Sequence, residues 1–139
     1  PMIVYARGAV NHSLVEISRL GYDVVGIDHT VEPAWARQCL AQAQSSNRKF
    51  SEVEVNKGAQ HRIAIQGNLD PAILYARPEV IQDRVRRMFQ TTTGGFGGQG
   101  ALICNLGQGI TPGVDPDHLR VFLEAVHRVS KEMADNNDD

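Results

Sequence analysis

Arg62-Ile63-Ala64-Ile65, running into Gln66-Gly67-Asn68-Leu69-Asp70-Pro71, decides how this chain folds. After Arg62, Ile63-Ala64-Ile65 form a short apolar run with β-branched side chains and no polar face. A strand of that kind is covered on both sides, the condition of a parallel sheet flanked by helices. Its end is abrupt: Gly67 and Pro71 interrupt the run, while Asn68 and Asp70 bring turn and capping groups.

The same unit recurs on either side. Toward the N-terminus, Val24-Val25-Gly26-Ile27 reads as a buried strand ending at Asp28-His29-Thr30. Ile3-Val4-Tyr5-Ala6 precedes it as another, bounded by Pro1 and Gly8. Between them Ser13 and Glu16 stand at capping-box spacing ahead of Leu14, Ile17 and Leu20, with Gly21 as a stop. A helix starts at Pro33 and passes through Trp35, Cys39 and Leu40. Toward the C-terminus, Pro78 opens a helix with Val80, Ile81, Val85, Met88 and Phe89 on its apolar side. The strand Ala101-Leu102-Ile103-Cys104-Asn105 follows and leads into Leu106-Gly107-Gln108-Gly109. A last helix is capped by Asp115, with Pro116 in its first turn and Leu119, Phe122, Leu123, Val126 and Val129 at helical spacing.

About four βα units in series make an α/β fold with parallel strands. Two architectures fit, an open doubly wound sheet and part of a (β/α)8 barrel, and periodicity does not choose between them. In both, function gathers where the strands end. Those ends are polar and glycine-rich: Arg7-Gly8, Asp28-His29-Thr30, Gln66-Gly67-Asn68, and Asn105 to Gly109. Asp28, His29 and Asp70 are therefore candidate site residues, although capping explains each aspartate equally well. Asn105 to Gly109 fits either an anion-binding turn or a plain tight turn.

Composition removes several classes. The 139 residues, 42% hydrophobic and 22% charged, suit one soluble domain spanning 1–139. A net charge of −2 and a pI near 6.2 give no footprint for nucleic acid. No apolar run is long enough to cross a bilayer and no signal peptide is visible, so no membrane partner and a cytoplasmic location are expected. Cys39 and Cys104 fit a reduced compartment rather than a disulfide scaffold. The chain opens at Pro1 with no initiator methionine, which points to truncation. Ser45 to Gln60 is expected to be a disordered loop insertion, and 134–139 a disordered tail. Gly95-x-Gly97-x-x-Gly100 matches the dinucleotide fingerprint as text, but a helix precedes it and a strand follows, the reverse of the required order, so it reads as a linker. His12, His29, His61, His118 and His127 show no ligand-spaced pair, and no metal is expected. His118 and His127 read as surface or packing residues of the last helix.

Beyond pattern, five stretches resemble the uroporphyrinogen decarboxylase family in order and spacing. They are Pro1 to Ala6, Gly21 to Asp28 with Thr30-Val31, Gln66 to Pro71, Leu74-Tyr75-Ala76, and Asn105-Leu106-Gly107 through Asp115-Pro116. The resemblance covers nearly the whole chain except Ser45–Gln60. It implies the C-terminal half of a (β/α)8 TIM-type barrel, strands five to eight. It further implies a parent carboxy-lyase of haem biosynthesis, which removes carboxyl groups from the four acetate side chains of uroporphyrinogen III to give coproporphyrinogen III. The family needs no metal or organic cofactor, and its full-length form is expected to be a homodimer.

By the same resemblance, the aspartate that stabilises a protonated pyrrole, the arginines that hold substrate carboxylates, and an active-site tyrosine and serine belong to the family's N-terminal half. None of them falls in this chain, so no catalytic residue is assigned and the isolated chain is expected to be inactive. One family site residue does fall here, the histidine of Asn-Leu-Gly-His-Gly, and this sequence has Gln108 in its place. Glutamine donates a hydrogen bond but carries no proton for acid–base work, which makes Gln108 a substrate-binding candidate for the tetrapyrrole. The family's Asp-Trp-Thr is likewise altered, to Asp28-His29-Thr30. Two alternatives stand beside this: a zinc-dependent methyltransferase of the related barrel superfamily, with Cys104 as its one encouragement, and a non-catalytic porphyrinogen-binding paralogue.

Overall fold

The computed structural model describes residues 1–8, 12–46, 63–90 and 101–135. Four strands, β1 (Ile3–Tyr5), β2 (Val24–Gly26), β3 (Ala64–Leu69) and β4 (Leu102–Leu106), alternate with four helices, α1 (His12–Ser18), α2 (Pro33–Ser46), α3 (Pro78–Phe89) and α4 (Pro116–Asp135). The strands form one sheet in the order β1-β2-β3-β4, and every pair is parallel.

That order settles the choice of architecture. A doubly wound sheet reverses its strand order at a switch point, whereas a (β/α)8 barrel lays each strand beside the previous one. Right-handed crossovers then place all the helices on one face. Side-chain burial follows the same division. Val4, Val25, Ile65 and Leu102 lie level with one another across the sheet and pack into the core beneath the helices. The next position along carries Tyr5, Gly26, Gln66 and Ile103 on the opposite, concave face. That face is open: Ile3, Tyr5 and Ile103 are 52%, 48% and 40% exposed. Among the described residues the molecule is half of a (β/α)8-type barrel with helices packed on one side of the sheet and the inner side uncovered.

On the helical side α1 packs on α2, and α3 packs on both α4 and β3. Ile81, Val85 and Met88 form the buried stripe of α3, and Phe122, Ala125 and Val129 that of α4. Leu14, Ile27, Ile65, Leu74 and Ile81 are essentially removed from water. Burial of each contributes about 1.5–3 kcal/mol. Leu123, counted on the apolar side of the last helix from spacing, instead faces solvent.

Three boundaries differ from the sequence expectation. β3 does not stop at Ile65 but runs to Leu69, because Asn68 and Leu69 continue the ladder opposite Asn105 and Leu106. α2 extends to Ser46, two residues into the expected insertion, carried by the good helix formers Ala41-Gln42-Ala43-Gln44. The remainder of that insertion, 47–60, lies outside the described residues, as do the glycine run 91–100 and His61. Ala134 and Asp135, assigned to the tail, belong to α4, and 136–139 lie outside the description.

Candidate functional site

The C-terminal ends of the strands meet on one rim, and buried polar groups hold them there. Asp28, just past β2, is buried. Its carboxylate accepts the Gly8 N–H at 2.6 Å from the loop after β1. It also accepts the Thr30 N–H at 2.8 Å and the Thr30 hydroxyl at 2.5 Å. Burial by itself would raise the Asp28 pKa; the three hydrogen bonds and the neighbouring His29 outweigh it and hold the carboxyl below its ordinary range. Asn68, buried at the end of β3, donates from Nδ2 to the carbonyl oxygens of Asp28 at 2.9 Å and Val31 at 2.7 Å. Asn68 thereby satisfies two carbonyls of the loop that starts α2, which is why a polar residue sits in a buried stretch of strand.

Further ties continue around the rim. Asp70 accepts the Ala72 N–H at 2.9 Å and caps a 3-10 turn, Pro71–Tyr75, which the sequence pattern did not show. The Tyr75 hydroxyl donates to the Pro112 carbonyl at 2.9 Å. His118 Nδ1, 2.7 Å from the Leu74 carbonyl, is the protonated nitrogen of its ring and joins α4 to the 3-10 turn. Asp28 and Asp70 thus act as staple and cap. His118 packs as expected, and His127 lies on the surface.

Two cavities open near this rim. One, about 440 Å³, lies between the loop after β2 and α3, lined by His29, Thr30, Glu32, Asn68, Asp70, Arg84 and Arg87 among others. His29 faces that helical-side cavity, and its buried Nδ1 has no hydrogen-bond partner among the described residues. The other, about 400 Å³, opens on the concave side and is lined by Tyr5, Gln66, Asn105 and Gln108 with Ile27, Leu106, Gly109, Ile110 and Leu119. Gln108 and His29 are therefore not brought into one cavity. The concave cavity is the stronger candidate, because in a closed barrel the strand C-termini surround the ligand from the inside.

Its chemistry is uniform. Among the described residues three carboxamides and a phenol converge above an apolar floor, and none of these lining side chains is a carboxylate or an imidazole. Such a set donates and accepts hydrogen bonds without transferring protons near neutral pH. Among the described residues the Gln108 and Gln66 side chains have no hydrogen-bond partner, so their amides are available to a ligand. Tyr5 and Gln66 were not singled out by sequence reasoning. The available signal was the period-two placement of Ile3 and Tyr5, which puts both on one face of β1.

Cys104 lies on the helix-facing side of β4 and packs against the core. Burial pushes its thiol up to about 12, far from the thiolate that binds zinc. Among the described residues no three His, Cys, Asp or Glu side chains gather to hold a metal. No helix among them is long and apolar enough to cross a membrane.

Strands paired in chain order, helices on one side and a polar rim at the strand ends define the class: a segment of a (β/α)8 barrel. A family model described as uroporphyrinogen decarboxylase (URO-D) matches residues 1–129. Uroporphyrinogen decarboxylase of Schizosaccharomyces pombe is 41% identical over 128 residues, covering 92% of this chain and 30% of its own. The Vesicomyosocius okutanii protein of that name is 39% identical, covering 95% of this chain and 31% of its own. The Homo sapiens protein is 35% identical, covering 98% and 30%. The chain belongs to the uroporphyrinogen decarboxylase family. It spans about 30% of the length of these curated relatives.

Proposed function

We propose that this chain supplies one half of a tetrapyrrole-decarboxylating barrel, with Gln108 as a substrate-binding residue. The completed barrel would convert uroporphyrinogen III to coproporphyrinogen III in porphyrin biosynthesis, as a homodimer, without cofactor. The observation that carries the reading is the placement of Gln108. It lines the concave cavity beside Gln66 and Asn105, at the strand end where the family resemblance places a site residue. A glutamine amide there donates to a substrate carboxylate or carbonyl. Among the described residues the cavity lining offers no carboxylate, imidazole or cation to protonate the pyrrole carbon that loses its carboxyl group or to hold the acetates. The half barrel therefore binds without turning over.

Uroporphyrin, the fluorescent oxidised counterpart of the substrate, is the probe for the first part. Titration of the 139-residue chain should saturate, and Gln108→Ala should weaken binding roughly three- to tenfold, the value of one net hydrogen bond. Equal affinity in Gln108→Ala removes that residue from the site. Incubated with uroporphyrinogen III, the chain should form no coproporphyrinogen; appearance of product would overturn the inactive reading.

A further inference from the structure

Gly107, the residue before Gln108, is held from three sides. Its N-terminal side is held by β3, where the Gly107 N–H donates to the Leu69 carbonyl at 2.7 Å. From the loop after β2 the His29 backbone presses on it: a Cβ at Gly107 would come within 2.8 Å of the His29 Cα. From β1 the Tyr5 hydroxyl donates to the Gly107 carbonyl at 2.9 Å, a contact across 102 residues of sequence. The first two grips are made by backbone atoms. The third depends on one hydroxyl group.

Tyr5 reaches that far because of what stands next to it. Its neighbour across the ladder is Gly26. A Cβ on Gly26 would lie 2.9 Å from Tyr5 Cδ2 and 3.2 Å from its Cβ. The ring therefore lies across β2 in space that any side chain would fill, and its hydroxyl arrives beneath the loop after β4. The carbonyl it binds belongs to the same planar unit as the Gln108 N–H. Fixing that oxygen fixes the plane from which Gln108 departs. Preceded by a glycine, such a plane otherwise rotates at little cost.

We propose that Tyr5 is a positioning residue for Gln108, aiming its amide into the concave cavity by anchoring the Gly107 carbonyl. The proposal rests on Gln108 being a ligand contact, as argued above, but its structural half is testable without any ligand. Tyr5→Phe keeps the ring over Gly26 and removes only the hydroxyl. In ¹⁵N relaxation the Gln108 amide should be ordered in the parent chain, and in Tyr5→Phe its order parameter should fall below about 0.6 while the amides of α3 and α4 stay unchanged. Gly26→Ala, which keeps the hydroxyl group but displaces the ring and carries it away from the Gly107 carbonyl, should loosen Gln108 in the same way.

Uroporphyrin binding gives the second readout. Tyr5→Phe should weaken it roughly three- to tenfold in the parent chain and have no further effect in Gln108→Ala. Unchanged order at Gln108 in both variants overturns the proposal, as does an equal loss of binding in the two backgrounds. A parent chain that fails to bind uroporphyrin overturns the functional reading, and the relaxation measurement still decides the role of Tyr5.

Discussion

Asp28, buried just past a strand, and Cys104, half-buried within one, are ionisable groups that their surroundings drive in opposite directions. Asp28 is met by three donors and stays charged; Cys104 meets only apolar neighbours and stays neutral. Replacing Asp28 by Asn leaves the Gly8 and Thr30 donors poorly matched, and the chain should lose about 1–3 kcal/mol at neutral pH by urea denaturation. The folded pKa of Asp28 lies below its ordinary 3.8, so its contribution is complete above that pH and is lost as pH falls through the folded value. The gap between parent and Asp28→Asn should accordingly close below pH 3.8. Cys104 gives the reverse case. With its thiol pushed from 9.0 up to about 12, the folded form holds a proton that the unfolded chain releases, so stability falls as pH rises through that interval. At pH 8 the Cys104 thiol should resist a thiol-specific reagent until denaturant is added, as a mass-resolved labelling time course would show.

The strands were readable because short apolar runs ending in glycine and polar residues have few other interpretations. Helix starts were readable for a similar reason, since Pro33, Pro78 and Pro116 each open a helix. What escaped was set by partners distant in sequence. β3 runs past Ile65 because Asn68 finds two carbonyls in another loop, and no local pattern announces them. Gln108 was picked out through the family resemblance at Asn105-Leu106-Gly107, whereas Tyr5 looked like one more residue of an apolar strand. Its role depends on sheet curvature and on Gly26 standing opposite. His29, singled out for its place past the end of β2, faces the helical-side cavity instead. The loop after β4 offers an element-scale test. Gly107→Ala would force a methyl group against the His29 backbone and should cost about 1–3 kcal/mol in thermal or urea unfolding. A fully tolerated alanine would mean that the loop is not packed as described.

Across the whole molecule, the core fills the helical side of the sheet, while the cavity opens at the strand ends. Tyr5, Gln66 and Asn105 line it from the concave face, and Ile27, Leu106 and Leu119 from the edge of the core. The helical side is complete, so each βα unit is stable against its neighbours; the concave side shows Ile3, Tyr5 and Ile103 to solvent. Among the described residues β1 and β4 each pair with one strand only, leaving an open edge at each end of the sheet. Unpaired edges beside an apolar face favour association. Sedimentation velocity should show the average mass rising with concentration, and Ile103→Lys should suppress the rise. The Tyr5–Gly107 tie has a temporal consequence. Contacts inside each βα unit join residues close in sequence, whereas this one closes a 102-residue span. Such long-range closures follow the local ones, since chain entropy must be given up before the contact rewards it. Opening runs in the reverse order. If β1 peels from β2, the cavity loses Tyr5 and Gln108 its anchor, while the α3–α4 pair keeps its core. In native-state hydrogen exchange the strand-end rim around Gln108 should exchange with the first strand, well ahead of the helices that carry most of the protection.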